Sequence, residues 1–143
     1  MRTLAIDLGE RRVGLALSDA GGTLATPLEV VAARAALARL LQIVHENDVR
    51  RLVVGLPLNM DDTIGPAARK TIQWGQNLAA QTGLPVIFID ERLSSFEAEQ
   101  SLASQKRAGR KLTRKKKKQT LDALAAADFL QAFLDGRLSP IRQ

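Results

Sequence analysis

Acidic side chains at three distant points of this 143-residue chain have the types and placement needed for metal chemistry, and Asp122 is the most informative of them. With about 100° between successive residues of a helix, Asp122 shares its face with apolar side chains. These are Ala125, Ala126, Phe129 and Phe133. A carboxylate on such a face is costly unless a positive or hydrogen-bonding group meets it. The pattern therefore predicts a partner for Asp122, which is either a metal ion or an arginine.

The other acids stand where predicted strands end. Asp7 lies near the carboxyl end of a strand over residues 2–8, and Asp90 and Glu91 follow an apolar strand over residues 85–89. Ligands of open α/β sheets collect beyond the carboxyl ends of the strands. Taken singly, Asp7 fits a turn residue and Glu91 fits an ion pair with Arg92. Together with Asp122, they predict carboxylates that converge at one end of the sheet.

The donor types favour a hard cation. The chain has no cysteine and one histidine, His45, which falls on a predicted helix away from the acids. Oxygen ligands alone point to Mg²⁺ or Mn²⁺ rather than zinc. Carboxylates that hold such ions beside a basic surface are the parts needed to hydrolyse a phosphodiester, because the metal activates water and stabilises the leaving oxygen.

The basic surface is also visible in the sequence. The net charge is +6, from 21 basic and 15 acidic residues, and no acid occurs between residues 100 and 121. That stretch contains Lys106, Arg107, Arg110, Lys111, Arg114, Lys115, Lys116, Lys117 and Lys118. A solvated loop kept for solubility is the plain alternative, but the run leads straight into the helix that carries Asp122, which favours a nucleic-acid partner. With aromatic residues at 3%, the partner's shape and phosphates would be read rather than stacked bases.

The elements that must position these residues form one α/β unit. The sequence predicts strands over residues 2–8, 12–18, 24–31, 51–56 and 85–89, and helices over residues 33–47, 66–82, 94–105 and 119–134. The length and the 45% hydrophobic content suit a single domain, residues 1–143, with a basic loop over residues 106–118. The start MRTLAID has no signal-peptide pattern, and no apolar run is long enough to span a membrane, so we expect a cytoplasmic protein without a membrane partner.

Four segments of the chain resemble the signature blocks of the YqgF family, also called RuvX. They are AIDLGERRVG from Ala5, VGLPLNM from Val54, DERLSS from Asp90, and Asp122 with Ala125 and Ala126. The family is described as a pre-16S rRNA nuclease and as Holliday junction resolvase-like. The resemblance runs from residue 3 to about residue 135. One departure is Asp62, which stands where the family usually has glycine.

The resemblance implies a ribonuclease H-like fold, with a mixed five-stranded sheet in the order 3-2-1-4-5 flanked by helices. It implies a divalent-metal nuclease acting in 5′-end maturation of small-subunit ribosomal RNA, with Asp7, Glu91 and Asp122 as catalytic residues and metal ligands. Asp90 belongs to the same block and ranks lower. Arg12 and Arg92 would face the phosphates, and Gly9, Gly14 and Gly55 would let the backbone approach them.

Three other functions stay open at this stage. The same metal chemistry would serve a Holliday junction resolvase-like DNA nuclease, which needs a dimer with two sites, whereas an RNA-trimming nuclease can act as a monomer or weak homodimer. The basic run equally suits a non-catalytic RNA-binding factor on ribosomal particles. A nucleotide phosphotransferase is the third, since Asp-x-Gly also opens the actin-like ATPases, but one unit of 143 residues lacks their second half.

Overall fold

The computed structural model describes residues 1–91 and 114–141, and within the last helix the side chains from residue 122 onward. The strands in these ranges are β1 (Arg2–Leu8), β2 (Arg12–Ser18), β3 (Ala25–Ala32), β4 (Val49–Leu56) and β5 (Val86–Asp90). The helices are α1 (Ala36–Glu46), α2 (Pro66–Thr82) and α3 (Arg114–Leu134). None of the described helices combines the length and apolarity that a membrane-spanning segment needs.

The five strands form one mixed sheet in the order β3-β2-β1-β4-β5, which confirms the predicted topology. β1, β2 and β3 are an antiparallel meander, and β4 and β5 join the other side of β1 as parallel strands. The carboxyl ends of β1, β4 and β5 therefore lie at the same edge of the sheet. Asp7 and Glu91 are brought to that edge by this topology.

Alternation along the central strands divides the core into two layers. Leu4 and Ile6 of β1 pack with Leu40 of α1 and Leu78 of α2 on one face of the sheet. Ala5, between them, belongs to the cluster on the other face, which includes Phe129 of α3. All of β1 from Thr3 to Ile6 is fully buried, because helices cover both faces.

The backbone preferences of proline and glycine explain why the ends of α2 could be predicted from the sequence. α2 spans the predicted residues, since Pro66 occupies its first turn and Gly83 ends it with a left-handed φ of 70°. α1 begins later than predicted, after a 3₁₀ turn (Ala33–Ala35), and no side chain caps either start. The predicted helix over residues 94–105 lies outside the described residues.

The last helix corrects the prediction of a basic loop over residues 106–118. α3 begins at Arg114, so Arg114, Lys115, Lys116, Lys117 and Lys118 are helical rather than part of a loop. Lysine and arginine have good helix propensity, and no glycine or proline interrupts the chain between residues 114 and 134, so nothing in the sequence stops the helix from extending backward.

Candidate active site

A cavity of about 550 Å³ opens at the edge of the sheet where β1 and β5 end. Its lining residues come from the carboxyl end of β1, the β1–β2 turn, the residue after β5, and α3. They are Asp7, Leu8, Gly9, Glu10, Arg11, Arg12, Glu91 and Asp122. All three predicted acids thus line one cavity, together with the predicted phosphate contact Arg12.

Close packing on β2 places Asp122. Gly14 pairs with Asp7 across the β1–β2 ladder, and a Cβ on Gly14 would lie 2.3 Å from the backbone oxygen of Asp122. No side chain fits in that space, so glycine at position 14 lets α3 lie directly against the strand. Asp122 is therefore held beside Asp7 by a contact between two backbones.

A second close approach places Glu91. A Cβ on Gly55, in the strand between β1 and β5, would lie 2.7 Å from Oε2 and 2.9 Å from Cβ of Glu91. The Glu91 side chain therefore lies over Gly55 and reaches toward Asp7. The expectation that Gly14 and Gly55 leave room for a phosphate is wrong in this respect, because protein atoms already fill both spaces.

Burial and mutual repulsion make Asp7 and Glu91 share a proton. Burial raises the pKa of Glu91 to about 8, and the negative charge of Asp7, a hydrogen bond with Asp7 and the charge of Asp90 act in the same direction. Burial also raises the pKa of Asp7, as does the charge of Asp122, while the hydrogen bond from Glu91 opposes these effects. At neutral pH the protonated Glu91 therefore donates to the Asp7 carboxylate.

The same pair fits a divalent cation. A cation between the two carboxylates would take the place of their shared proton and relieve their repulsion. Oε2 of Glu91 is buried and has no hydrogen-bond partner among the described residues, so a ligand position is already in place. The donor set is oxygen, as Mg²⁺ and Mn²⁺ require.

The third acid, Asp122, does not complete a set of three metal ligands with Asp7 and Glu91. No three acidic, histidine or cysteine side chains within residues 1–91 and 114–141 are close enough together to hold one metal ion. Asp122 instead forms an ion pair with Arg12, whose Nε lies 3.5 Å from Oδ2 of the carboxylate. Arg12 is thus the arginine partner that the sequence predicted as one possibility for Asp122.

The other predicted site residues lie outside the described residues, have no described side chain or do not line the cavity. Arg92, Lys106, Arg107, Arg110 and Lys111 lie outside the described residues, and no side-chain position is described for the basic residues of α3. Asp90 ends β5 opposite Leu56. Sequence reasoning missed Glu10 and Arg11 as cavity residues, although their position in the turn after Asp7 was the available signal.

Asp62 belongs to the loop between β4 and α2, and its φ is 68°. This left-handed conformation favours glycine, the residue that the family resemblance implies at this position, and aspartate tolerates the region better than most residues. The loop is held by Asn59 and Asp61, which hydrogen-bond Thr63.

Comparison with known proteins assigns the family. The chain matches RuvX, described as Holliday junction resolvase, over residues 1–136. The chain belongs to the RuvX family. Two relatives carry the name "Putative pre-16S rRNA nuclease". The one from Lacticaseibacillus casei (strain BL23) is 41% identical over 142 residues, covering 96% of each chain. The one from Anaeromyxobacter sp. (strain Fw109-5) is 46% identical over 140 residues, covering 96% of this chain and 98% of the relative.

Solved structures show the same fold. Thermus thermophilus RuvC has a TM-score of 0.58 at 19% identity, covering 99% of this chain and 100% of the other. T. thermophilus RuvC in complex with Holliday junction substrate has a TM-score of 0.56 at 20% identity, covering 99% of both chains. The RuvX chain therefore has the ribonuclease H-like nuclease fold, and its family makes it a hydrolase that cleaves phosphodiester bonds.

Proposed function

We propose that this RuvX protein is a metal-dependent endonuclease that cuts structured RNA in the 5′-end maturation of pre-16S rRNA. The observation that carries the proposal is the proton-sharing carboxyl pair of Asp7 and Glu91 in a cavity that also contains Arg12 and Asp122. Such a pair lowers the stability of the folded protein, and a bound cation would offset that loss by neutralising the two buried carboxylates.

Asp7 and Glu91 would hold the cation, with Asp122 as the third carboxylate. Mg²⁺ or Mn²⁺ would supply Lewis-acid activation of water and stabilise the leaving oxygen. Glu91 must lose its proton before it can bind the ion, and its pKa of about 8 makes that loss available near neutral pH once a cation is present. Arg12 supplies positive charge at the cavity, where a scissile phosphate would lie.

The substrate class rests on the relatives and on charge. Both relatives described above are named for pre-16S rRNA, and the basic residues before Asp122 suit a polyanion. Pre-rRNA, free or in ribosomal particles, is therefore the partner we propose, and a cytoplasmic location goes with it. The enzyme would act as a monomer or weak homodimer.

Branched DNA is the second candidate substrate, because the family description names the Holliday junction and one structural neighbour is bound to such a junction. Resolving a four-way junction needs two symmetric cuts and hence two active sites in a dimer. The two substrates are separated by supplying both to the same preparation and by measuring its oligomeric state at the assay concentration.

The test is cleavage of a precursor of small-subunit ribosomal RNA in Mg²⁺, in Mn²⁺ and in EDTA, with a four-way DNA junction in parallel. Asp7→Asn, Glu91→Gln and Asp122→Asn should each reduce cleavage by at least a hundredfold, because each removes a ligand charge. Asp48→Asn is the matched control, since Asp48 is exposed and precedes β4 at the opposite end of the sheet. Full activity in Asp7→Asn and Asp122→Asn would refute the mechanism, and RNA binding without turnover in the unmodified protein would favour a non-catalytic assembly factor.

A further inference from the structure

A second cavity, which we call the side cavity, adjoins the candidate active site. It has a volume of about 280 Å³ and lies between the β1–β2 turn, the residue that follows β4, and the amino-terminal part of α2. Leu8, Gly9 and Glu10 line both the side cavity and the cavity that contains the acids. The two cavities are therefore neighbours with a shared wall.

The side cavity differs from the acidic cavity in its chemistry. Four apolar side chains line it, from Leu8, Pro57, Pro66 and Ala67. Thr71 lines it as well, but Thr71 is buried and its hydroxyl donates to the carbonyl oxygen of Ala67 at 3.1 Å, within the helix. The volume is close to the lower end for small-ligand pockets, which is about 300 Å³. The side cavity therefore suits a ring-sized apolar group rather than a phosphate or a metal ion.

The backbone holds the walls of the side cavity in place. The amide of Gly9 donates to the carbonyl oxygen of Arg12 at 2.9 Å, which closes the β1–β2 turn. A Cβ on Gly9 would lie 2.6 Å from that oxygen, so a turn this tight needs glycine. Pro57 and Pro66, on the other sides of the side cavity, have φ angles fixed by their rings. These constraints make the side cavity a preformed feature of the fold.

A nucleotide joins the two kinds of group that the neighbouring cavities accept. Its phosphate is an anion that Arg12 and a bound cation would attract, and one sugar connects that phosphate to a base with apolar faces. Lys70 also lines the side cavity and adds a positive charge suited to a flanking phosphate. Among the described residues that line the side cavity none is aromatic, so the base would be held by burial rather than by stacking on a ring.

We propose that the side cavity is a nucleobase subsite, which takes one unstacked base of the substrate strand next to the phosphate that is cut. The inference rests on the proposed nuclease function and deepens it, because it names the feature that the enzyme selects in its substrate. A base enters only after leaving its stack, and unstacking costs least where the nucleotide is already unpaired. Cleavage is therefore directed to phosphates beside loops, bulges or strand ends, and away from continuous duplex.

The test uses an RNA hairpin in which 2-aminopurine replaces the bases of an unpaired loop, one position at a time. This base fluoresces weakly in a stack and strongly once it leaves the stack. Titration in EDTA follows binding without metal-dependent cleavage. Ala67→Leu fills the side cavity from an exposed position of α2. Ala80→Leu is the matched control, because Ala80 is exposed on the same helix and does not line the side cavity.

The unmodified protein should raise the fluorescence at one loop position, and Ala67→Leu should abolish that rise whereas Ala80→Leu should keep it. Removing the base at that position should weaken binding about tenfold, which is the gain from burying a base less the cost of unstacking it. Ala67→Leu should weaken binding of the intact hairpin by the same factor and of the abasic hairpin little, because both changes remove one contact. In Mg²⁺ the unmodified protein should cut the phosphate adjacent to that position.

Four results would overturn the proposal. A rise that Ala67→Leu retains would place the base outside the side cavity. A cut far from the responding position would separate the base from the active site. An equal response to the free 2-aminopurine nucleotide at the same concentration would mean that the side cavity takes a mononucleotide. The absence of a response at every loop position would remove the subsite, and cleavage in Mg²⁺ would then still support the nuclease function. A response without any cleavage in Mg²⁺ would do the reverse, since it supports base binding and refutes the nuclease.

Discussion

Replacing Glu91 by glutamine should stabilise the metal-free protein, even though it removes a residue of the candidate active site. Glu91 holds its proton up to a pKa of about 8 in the folded chain, against 4.5 as its ordinary value. Above pH 4.5 the unfolded chain releases a proton that the folded chain keeps. The free energy of unfolding therefore falls by about 1.4 kcal/mol per pH unit through this interval.

The sign of this effect follows from the raised pKa of Glu91. Below pH 4.5 both states bind the proton and Glu91 costs nothing, and the cost is complete once the pH passes 8. At pH 7 the cost is about 3 kcal/mol. Glutamine has no proton to hold, and its amide can still donate to Asp7. The free energy of unfolding of the Glu91→Gln variant should therefore exceed that of the unmodified protein by about 3 kcal/mol at pH 7 and by little at pH 4.5.

Urea unfolding at several values between pH 4.5 and pH 8, in EDTA, measures the difference between the two proteins. Glu46→Gln provides the control, because Glu46 is an exposed residue with only a long contact of 3.9 Å to Arg39. Adding Mg²⁺ at pH 8 should stabilise the unmodified protein and not Glu91→Gln. A stability difference that is the same at every pH would show that Glu91 is not protonated in the folded chain, and the electrostatic account of the site would fail.

Three further results are expected. Gly14→Ala should lower the free energy of unfolding by about 1 to 3 kcal/mol in urea, because its Cβ would overlap the Asp122 carbonyl; Gly21→Ala, where the nearest atom is 3.7 Å away, should change it little. Asp62→Gly should raise the free energy of unfolding by up to about 1 kcal/mol by relieving a left-handed φ, and an equal or lower value would contradict this. Mg²⁺ binding at pH 7 should release about one proton, seen as buffer-dependent heat in calorimetry, and Glu91→Gln should release none.

The fold could be predicted where local patterns and global packing agree. Successive residues of a strand face opposite sides of a sheet, so the predicted strand over residues 2–8 already divides Leu4 and Ile6 from Ala5, and the two core clusters follow that division. Pro66 and Gly83 set the ends of α2 through fixed backbone preferences. No side chain caps the start of α1, which begins later than predicted, and α3 begins at Arg114 rather than at the predicted residue 119.

The sequence predicted that Asp7, Glu91 and Asp122 converge, and they line one cavity, but it did not predict their protonation or their partners. Asp122 was recognised from the apolar residues around it, but the helical pattern cannot tell an arginine partner from a metal. The pKa of Glu91 depends on burial and on the close approach of its side chain to Gly55, which are properties of the assembled fold. The sequence showed that Asp62 departs from the glycine implied by the family resemblance, but the left-handed φ of Asp62 is visible only in the folded backbone.

The three carboxylates differ in how firmly the fold holds them, and that difference bears on how the site works. Glu91 is wedged over Gly55 and hydrogen-bonded to Asp7, so neither acid can turn away without leaving a buried carboxyl unpaired. The backbone of Asp122 is fixed against Gly14, and its partly buried carboxylate pairs with Arg12. The fold therefore joins two of the carboxyls in one buried contact and sets the third beside a guanidinium. Three carboxylates that line one cavity repel one another in a metal-free molecule, as the effect of Asp122 on the pKa of Asp7 shows, and the guanidinium of Arg12 offsets part of that repulsion.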